Sequence, residues 1–111
     1  MRCPLQKERI AHLNDQHRQY IPMTETVLTQ TVSHLKVEQL VELIEKVRLF
    51  NTFDEDNDPW GEHDFGAVEI QGETYYWKID YYDSTYQYHS PDPSDPNVTK
   101  RVLTIMHKSE Y

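Results

Sequence analysis

The chain contains a single cysteine, Cys3, among its 111 residues. One cysteine forms no intramolecular disulfide and rules out a four-cysteine zinc site, a usage that points to a reducing, cytosolic setting. Glycine is scarce as well, at three residues, which excludes a glycine-rich phosphate-binding loop. No serine stands in a GxSxG context and Cys3 sits close to the amino terminus, so no nucleophile is in evidence. No apolar run of about 18 residues is present. The opening MRCPLQKERIAHLND turns charged before a signal-peptide apolar region develops. A soluble cytoplasmic protein with no membrane partner is the expectation.

Basic residues are missing where acidic ones are densest. Residues 54–95 hold twelve acids and one base, Lys78, while the formal charge of the whole chain is −8. The acids are Asp54, Glu55, Asp56, Asp58, Glu62, Asp64, Glu69, Glu73, Asp80, Asp83, Asp92 and Asp95. The flanking segments are nearly neutral. Binding to a phosphate backbone rests on clustered Lys and Arg that displace counterions, so direct nucleic-acid binding is not expected. The field of such a chain attracts basic partners.

What is present supports folding. The length suits one compact domain with a real core, and thirteen aromatics are more than a disordered chain carries. Pro4, Leu5, Ile10 and Leu13 predict a short amphipathic helix. Residues 26–32, TVLTQTV, predict a strand. Val37, Leu40, Val41, Ile44 and Val47 form an apolar stripe on a helix over Lys36–Phe50. Asn51–Asp64 has the Asp, Asn, Pro and Gly content of a long loop. Phe65–Ile70 and Glu73–Tyr82, joined at Gln71-Gly72, predict a hairpin whose core face is Tyr75, Trp77, Ile79 and Tyr81. Asp83–Asn97 reads as irregular, and Val98–His107 favours a strand over a helix. The class expected is α+β, a small antiparallel sheet of three or four strands packed against one or two helices.

Three constellations bear on chemistry. Asp54-Glu55-Asp56-Asn57-Asp58 begins like a calcium loop, but Pro59 stands where glycine is needed and Phe65 where a bidentate glutamate is needed. Glu62-His63-Asp64 could hold a divalent metal or a carboxylate-oriented general base; adjacent residues in extended chain diverge, however, and no HExxH spacing supplies further ligands. Seven aromatics crowd between Tyr75 and Tyr88. A nucleobase-stacking sheet also needs a basic groove, whereas the neighbours here are Glu73, Asp80 and Asp83. Tyr76 and Tyr82, on the face opposite the core, are therefore candidate protein-binding anchors.

Three segments, Asn57-Asp58-Pro59-Trp60-Gly61-Glu62-His63-Asp64-Phe65-Gly66, Trp77-Lys78-Ile79-Asp80-Tyr81-Tyr82-Asp83 and Asp92-Pro93 through Arg101-Val102-Leu103-Thr104-Ile105-Met106, resemble a small bacterial family labelled only as a domain of unknown function. Arg9-Ile10-Ala11-His12-Leu13-Asn14-Asp15 resembles its opening. The resemblance covers nearly the whole chain and departs mainly in a polar segment around Gln16–Thr24. It implies no activity and no catalytic residue. Members resemble accessory genes of proteobacteria on plasmids and in phage-like regions, a setting that suits inhibitors of host nuclease defence.

The expectation is a non-enzymatic inhibitor with no cofactor and no metal, of anti-CRISPR or anti-restriction type. Its acidic face engages a basic surface on a nucleic-acid-binding protein or ribonucleoprotein. The partner-binding candidates are Asp54, Glu55, Asp56, Asp58, Trp60, Glu62, Asp64, Tyr76, Asp80, Tyr82 and Asp83. The alternative is a small metal-dependent or acid/base enzyme using Glu62, His63 and Asp64.

Overall fold

A computed structural model describes residues 4–111; Cys3 lies outside the described residues. Along the chain run α1 (Pro4–Tyr20), β1 (Thr26–Leu28), α2 (Gln30–Ser33), α3 (Val37–Arg48), β2 (Phe65–Ile70), β3 (Glu73–Tyr82) and β4 (Lys100–His107), with 3₁₀ turns at Met23–Glu25 and Lys108–Glu110.

The hairpin forms as its alternation predicts. β2 and β3 pair antiparallel from Phe65↔Lys78 to Ile70↔Glu73. Gln71 and Gly72 both take positive φ, 51° and 82°, the mirror-image turn whose twist matches that of the strands. β4 adds antiparallel to β3, from Tyr75↔His107 to Tyr82↔Lys100. The sheet order is β1-β4-β3-β2, and the class is α+β. One pairing departs from an all-antiparallel sheet: β1 runs parallel to β4, Thr26 opposite Leu103. Parallel neighbours need a long crossover, and α2, α3 and the hairpin together supply it.

The strand expected over residues 26–32 stops at Leu28. Thr29 makes one more ladder bond, donating its N–H to Ile105 O at 3.1 Å. Its own carbonyl then accepts from Ser33 N at 2.8 Å, which closes the first turn of α2. That turn buries Val32 completely in the core. Packing has overridden the β-branched run, as it does when a helical turn fills space a strand would leave open.

α3 forms where its periodicity places it, with Glu38 in the first turn and Lys46 and Arg48 in the last, favourable to the helix dipole. Its buried stripe differs from the expected one. Leu43 and Val47 are fully buried with Leu40 packed beside them, whereas Val37 and Val41 are 73% and 55% exposed. Lys46 also reaches Glu69 O at 2.7 Å, which blunts the edge of β2. α1 is longer than expected, running on past Leu13 to Tyr20. Its buried positions are Ile10, Ala11, Asn14 and Arg18, four places on one helical face of which two are polar.

α3 packs against β2 and α1, and α1 also against β4. Trp77 is the largest side chain wholly inside, joined by Ile79, Leu103, Ile105, Leu43 and Val47. Each fully buried aliphatic of this kind contributes roughly 1.5–3 kcal/mol over its exposed state. Tyr75, Trp77, Ile79 and Tyr81 are all buried, the face the alternation assigned to the core. The indole of Trp77 lies directly on Gly66: a Cβ there would stand 2.5 Å from Trp77 Nε1 and 2.9 Å from Phe50 Cζ. On the opposite face Tyr76 is half-buried, its ring centroid 5.3 Å from those of both Phe65 and Tyr111. Among the described residues, no helix is long and apolar enough to cross a membrane.

Candidate functional site

The loop between α3 and β2 is folded by its own carboxylates. Asp54 accepts from the backbone N–H groups of Asp56 and Asn57 at 2.9 and 3.0 Å, and Asn57 Oδ1 accepts from Asp54 N at 2.9 Å. This turn leaves Asp54, Glu55 and Asp56 exposed. Asp58 does the same job one turn later, accepting from Glu62 N at 2.9 Å and His63 N at 3.1 Å. It is buried, at 7% exposure, and so is Glu62, at 4%. The acids expected to face outward together thus divide, with Asp58 and Glu62 turned inward. Trp60, on the rim of the same turn, is exposed.

Glu62 is drawn in by a polar core. Tyr81 donates its hydroxyl to Glu62 Oε1 at 3.1 Å; burial pushes the Tyr81 pKa far up, so the phenol keeps the proton it donates. Asn14 is fully buried and donates to Tyr81 Oη at 2.8 Å and to Glu62 O at 2.9 Å. Its own Oδ1 accepts from Arg101 Nε at 2.7 Å, and Arg101 also donates to Pro93 O. α1, the acidic loop, β3 and β4 meet at this one amide. Buried polar groups are costly unless bonded, and Asn14 meets that condition with three partners.

His63 belongs to a second cluster. Its Nδ1 lies 3.0 Å from Asp15 Oδ1, its Nε2 is 3.8 Å from Asp58 Oδ2, and its ring stacks on Phe53 with centroids 3.9 Å apart. Its φ is 56°, a left-handed conformation uncommon for a residue with a side chain. Arg18, 1% exposed, donates to Asp15 at 2.9 Å and lies 4.9 Å from the Trp77 ring centroid and 5.5 Å from that of Phe53. Among the described residues its Nε and Nη1 have no hydrogen-bond partner; the aromatic faces take up that part of the cation. Glu62, His63 and Asp64 therefore point three ways and do not converge. Among the described residues, no group of three His, Cys, Asp or Glu gathers closely enough to hold a metal ion.

Asp64 opens onto a cleft. β2 begins only at Phe65, opposite Lys78, so β3 runs on past it through Ile79–Tyr82. Ile79 N donates back to Asp64 O at 2.9 Å, and on the far side Tyr82 bridges to His89. A cleft of about 290 Å³ lies here, lined by Asp64, Asp80, Tyr82 and Tyr88 among others. Burial, followed by the charges of Glu62, Asp58 and Asp80, pushes Asp64 up to about 6. Asp80 pairs with Lys78 at 2.9 Å. Tyr88 is 70% exposed, an aromatic on the cleft wall.

Of the residues singled out from the sequence, Asp64, Asp80 and Tyr82 come together at this cleft. Asp83 adjoins it but organises a turn, accepting from Thr85 N and Oγ1 at 3.0 and 2.7 Å and from Gln87 N at 3.3 Å; these bonds hold its pKa down. Tyr76 does not join them, being packed between Phe65 and Tyr111. Asn14, Asp15 and Arg18 were not among the candidate site residues, and Tyr88 entered only as one of the seven clustered aromatics. For Asn14 and Arg18 a signal existed, since both fall at four-residue steps from Ile10.

Residues 28–110, most of the chain, match the family described as Protein of unknown function (DUF3768), and the chain belongs to that family. The match takes in the three longer segments quoted above and begins after Arg9–Asp15. No curated protein and no solved structure matches the chain.

Proposed function

We propose that this member of the DUF3768 family is a non-enzymatic inhibitor carried by a mobile genetic element, of anti-CRISPR or anti-restriction type. It presents an acidic surface to a basic surface of a host nucleic-acid-processing complex. The observation that carries the reading is the cleft at the end of β3, where Asp64 and Asp80 stand with Tyr82 and Tyr88. Carboxylates held at such a surface imitate the spaced charges of a nucleic-acid backbone and occupy a groove lined by Lys and Arg. Tyrosines beside them supply contact area at low entropic cost.

The acids divide the work. Asp54, Glu55 and Asp56 are exposed and steer a basic partner from a distance. Asp64 and Asp80 make the close contacts, and a partner's cation offsets the penalty that burial and the neighbouring carboxylates place on the Asp64 charge. Asp58 and Glu62 hold the loop in shape. The test is inhibition: CRISPR effector and restriction complexes are assayed for cleavage with and without the protein, at low and high salt. Cleavage should be blocked at low salt, with the block relieved by salt and by Asp64→Asn/Asp80→Asn. Inhibition unchanged by salt and by that double variant would sink the reading.

A second reading is favoured by the His63–Asp15 pair, in which a carboxylate fixes the orientation of an imidazole as it does for a general base. On that reading the protein is a small acid/base enzyme with His63 as its base, oriented by Asp15. His63→Ala would then abolish function while the fold persists; an intact phenotype in the folded variant removes it.

A further inference from the structure

A second cleft, of about 320 Å³, lies between the carboxyl-terminal half of α1, the 3₁₀ turn that follows it and the start of β4. Its volume is that of a small-molecule site. Its walls are apolar: Leu13 and Tyr20 from α1, with Pro22 and Pro96. Its polar lining is Gln16, His17, Glu25, Thr99 and Arg101, of which Glu25 and Arg101 carry opposite charge. Arg101, 6% exposed, reaches it from β4, and among the described residues its hydrogen bonds go to neutral oxygens, Asn14 Oδ1 and Pro93 O. Its guanidinium also lies against the face of Tyr81, 5.3 Å from the ring centroid. Among the described residues the cation is thus held by neutral acceptors, with the charge of Glu62 also acting on it.

The same cleft also carries a carboxylate. Glu25, half-buried, lines it. His17 lines it too, with Nε2 at 3.1 Å from Glu25 O. A carbonyl only accepts, so Nε2 carries the proton, and the neutral ring leaves Nδ1 as an acceptor. Burial lowers the His17 pKa, while Glu25 and Arg101 act on it in opposite directions, which places His17 in the field of both.

We propose that this cleft binds a small zwitterion of amino-acid type, its carboxylate at Arg101, its ammonium at Glu25, and its apolar body against Leu13, Tyr20, Pro22 and Pro96. A buried cation and a carboxylate lining one cleft, with apolar side chains beside them, select for both charges together. A ligand lacking either charge leaves a desolvated group without its partner.

The experiment is a titration of the isotope-labelled protein followed by NMR, with phenylalanine, phenylpropionate and phenethylamine as probes. Phenylalanine should give saturable shifts at the amides of Tyr20, Glu25 and Thr99. Phenylpropionate and phenethylamine should bind roughly tenfold or more weakly, a loss of about 1.4 kcal/mol or more. Glu25→Gln, a conservative change on a half-buried rim, should weaken phenylalanine and leave phenylpropionate unaffected. Arg101→Lys should weaken both carboxylates, with its melting curve recorded because Arg101 also bonds Asn14; if it does not fold, Glu25→Gln and the three probes decide alone. The absence of saturable shifts at the cleft overturns the proposal, as does equal binding of phenylalanine and phenylpropionate.

Discussion

Replacing Asp64 by asparagine should stabilise the protein, and only above mildly acidic pH. The folded state lifts the Asp64 carboxyl from 3.8 to about 6, through burial first and the charges of Glu62, Asp58 and Asp80 next. A raised carboxyl pKa means that the folded state disfavours the charge. The penalty is complete above the folded value and is relieved as the pH falls from about 6 towards 3.8. A gap of about two units corresponds to about 3 kcal/mol at 1.36 kcal/mol per unit. Asp64 is only half-buried, so solvent screening brings this to about 1–2 kcal/mol. For a chain of this size that is a rise of roughly 4–8 °C in melting temperature. Thermal unfolding of wild type and Asp64→Asn, followed by circular dichroism at about pH 8 and about pH 4, is the assay. A gain at the higher pH that vanishes at the lower is the expected result. A loss at the higher pH, or an equal shift at both, refutes the reasoning.

Gly66→Ala places a methyl against Trp77 and Phe50 and should cost about 1–3 kcal/mol by overpacking, read as a lowered urea midpoint with unchanged slope. Asn14→Ala leaves Arg101, Tyr81 and Glu62 without their shared partner and should destabilise by roughly 2–4 kcal/mol. Its additional signature is loss of amide-exchange protection in both α1 and the acidic loop. Glu110 accepts from Thr29 Oγ1, Thr31 N and His107 N, which hold its carboxyl down to about 2 from 4.5. The stability it contributes is complete above 4.5 and is lost as pH falls towards 2. Glu110→Gln should therefore melt lower than wild type near neutral pH, and the two melting curves should converge as the medium is acidified through that window.

The hairpin was legible because each of its signals agreed: alternation, β-branched and aromatic content, and a turn ending in glycine. β4 followed from the same period. α3 was legible as a helix, but its seam was set by how it lies on β2 and α1, which brought Leu43 inside and left Val37 and Val41 outside. α1 was truncated for a plainer reason. Its buried stripe continues through Asn14 and Arg18, and a pattern of hydrophobicity treats such residues as solvent-facing even where each has a buried partner. The acidic loop posed the same problem. Its composition fixed it as a loop, yet Asp54 and Asp58, alike in sequence, end at opposite exposures because only Asp58 faces the turn that carries Glu62 inward. The cleft itself was beyond local reasoning, since it exists where β3 outruns β2 and the His89 segment folds back beside it.

The central claim is that Asp64 and Asp80, at the cleft, dock a basic partner. A labelled arginine-rich peptide, titrated by fluorescence anisotropy against wild type, Asp64→Asn/Asp80→Asn and Asp54→Asn/Asp56→Asn at low and high salt, tests it most directly. We expect saturable binding at low salt that high salt removes, its loss in the cleft variant, and binding weakened but retained in the loop variant. Binding by the cleft variant equal to wild type contradicts it.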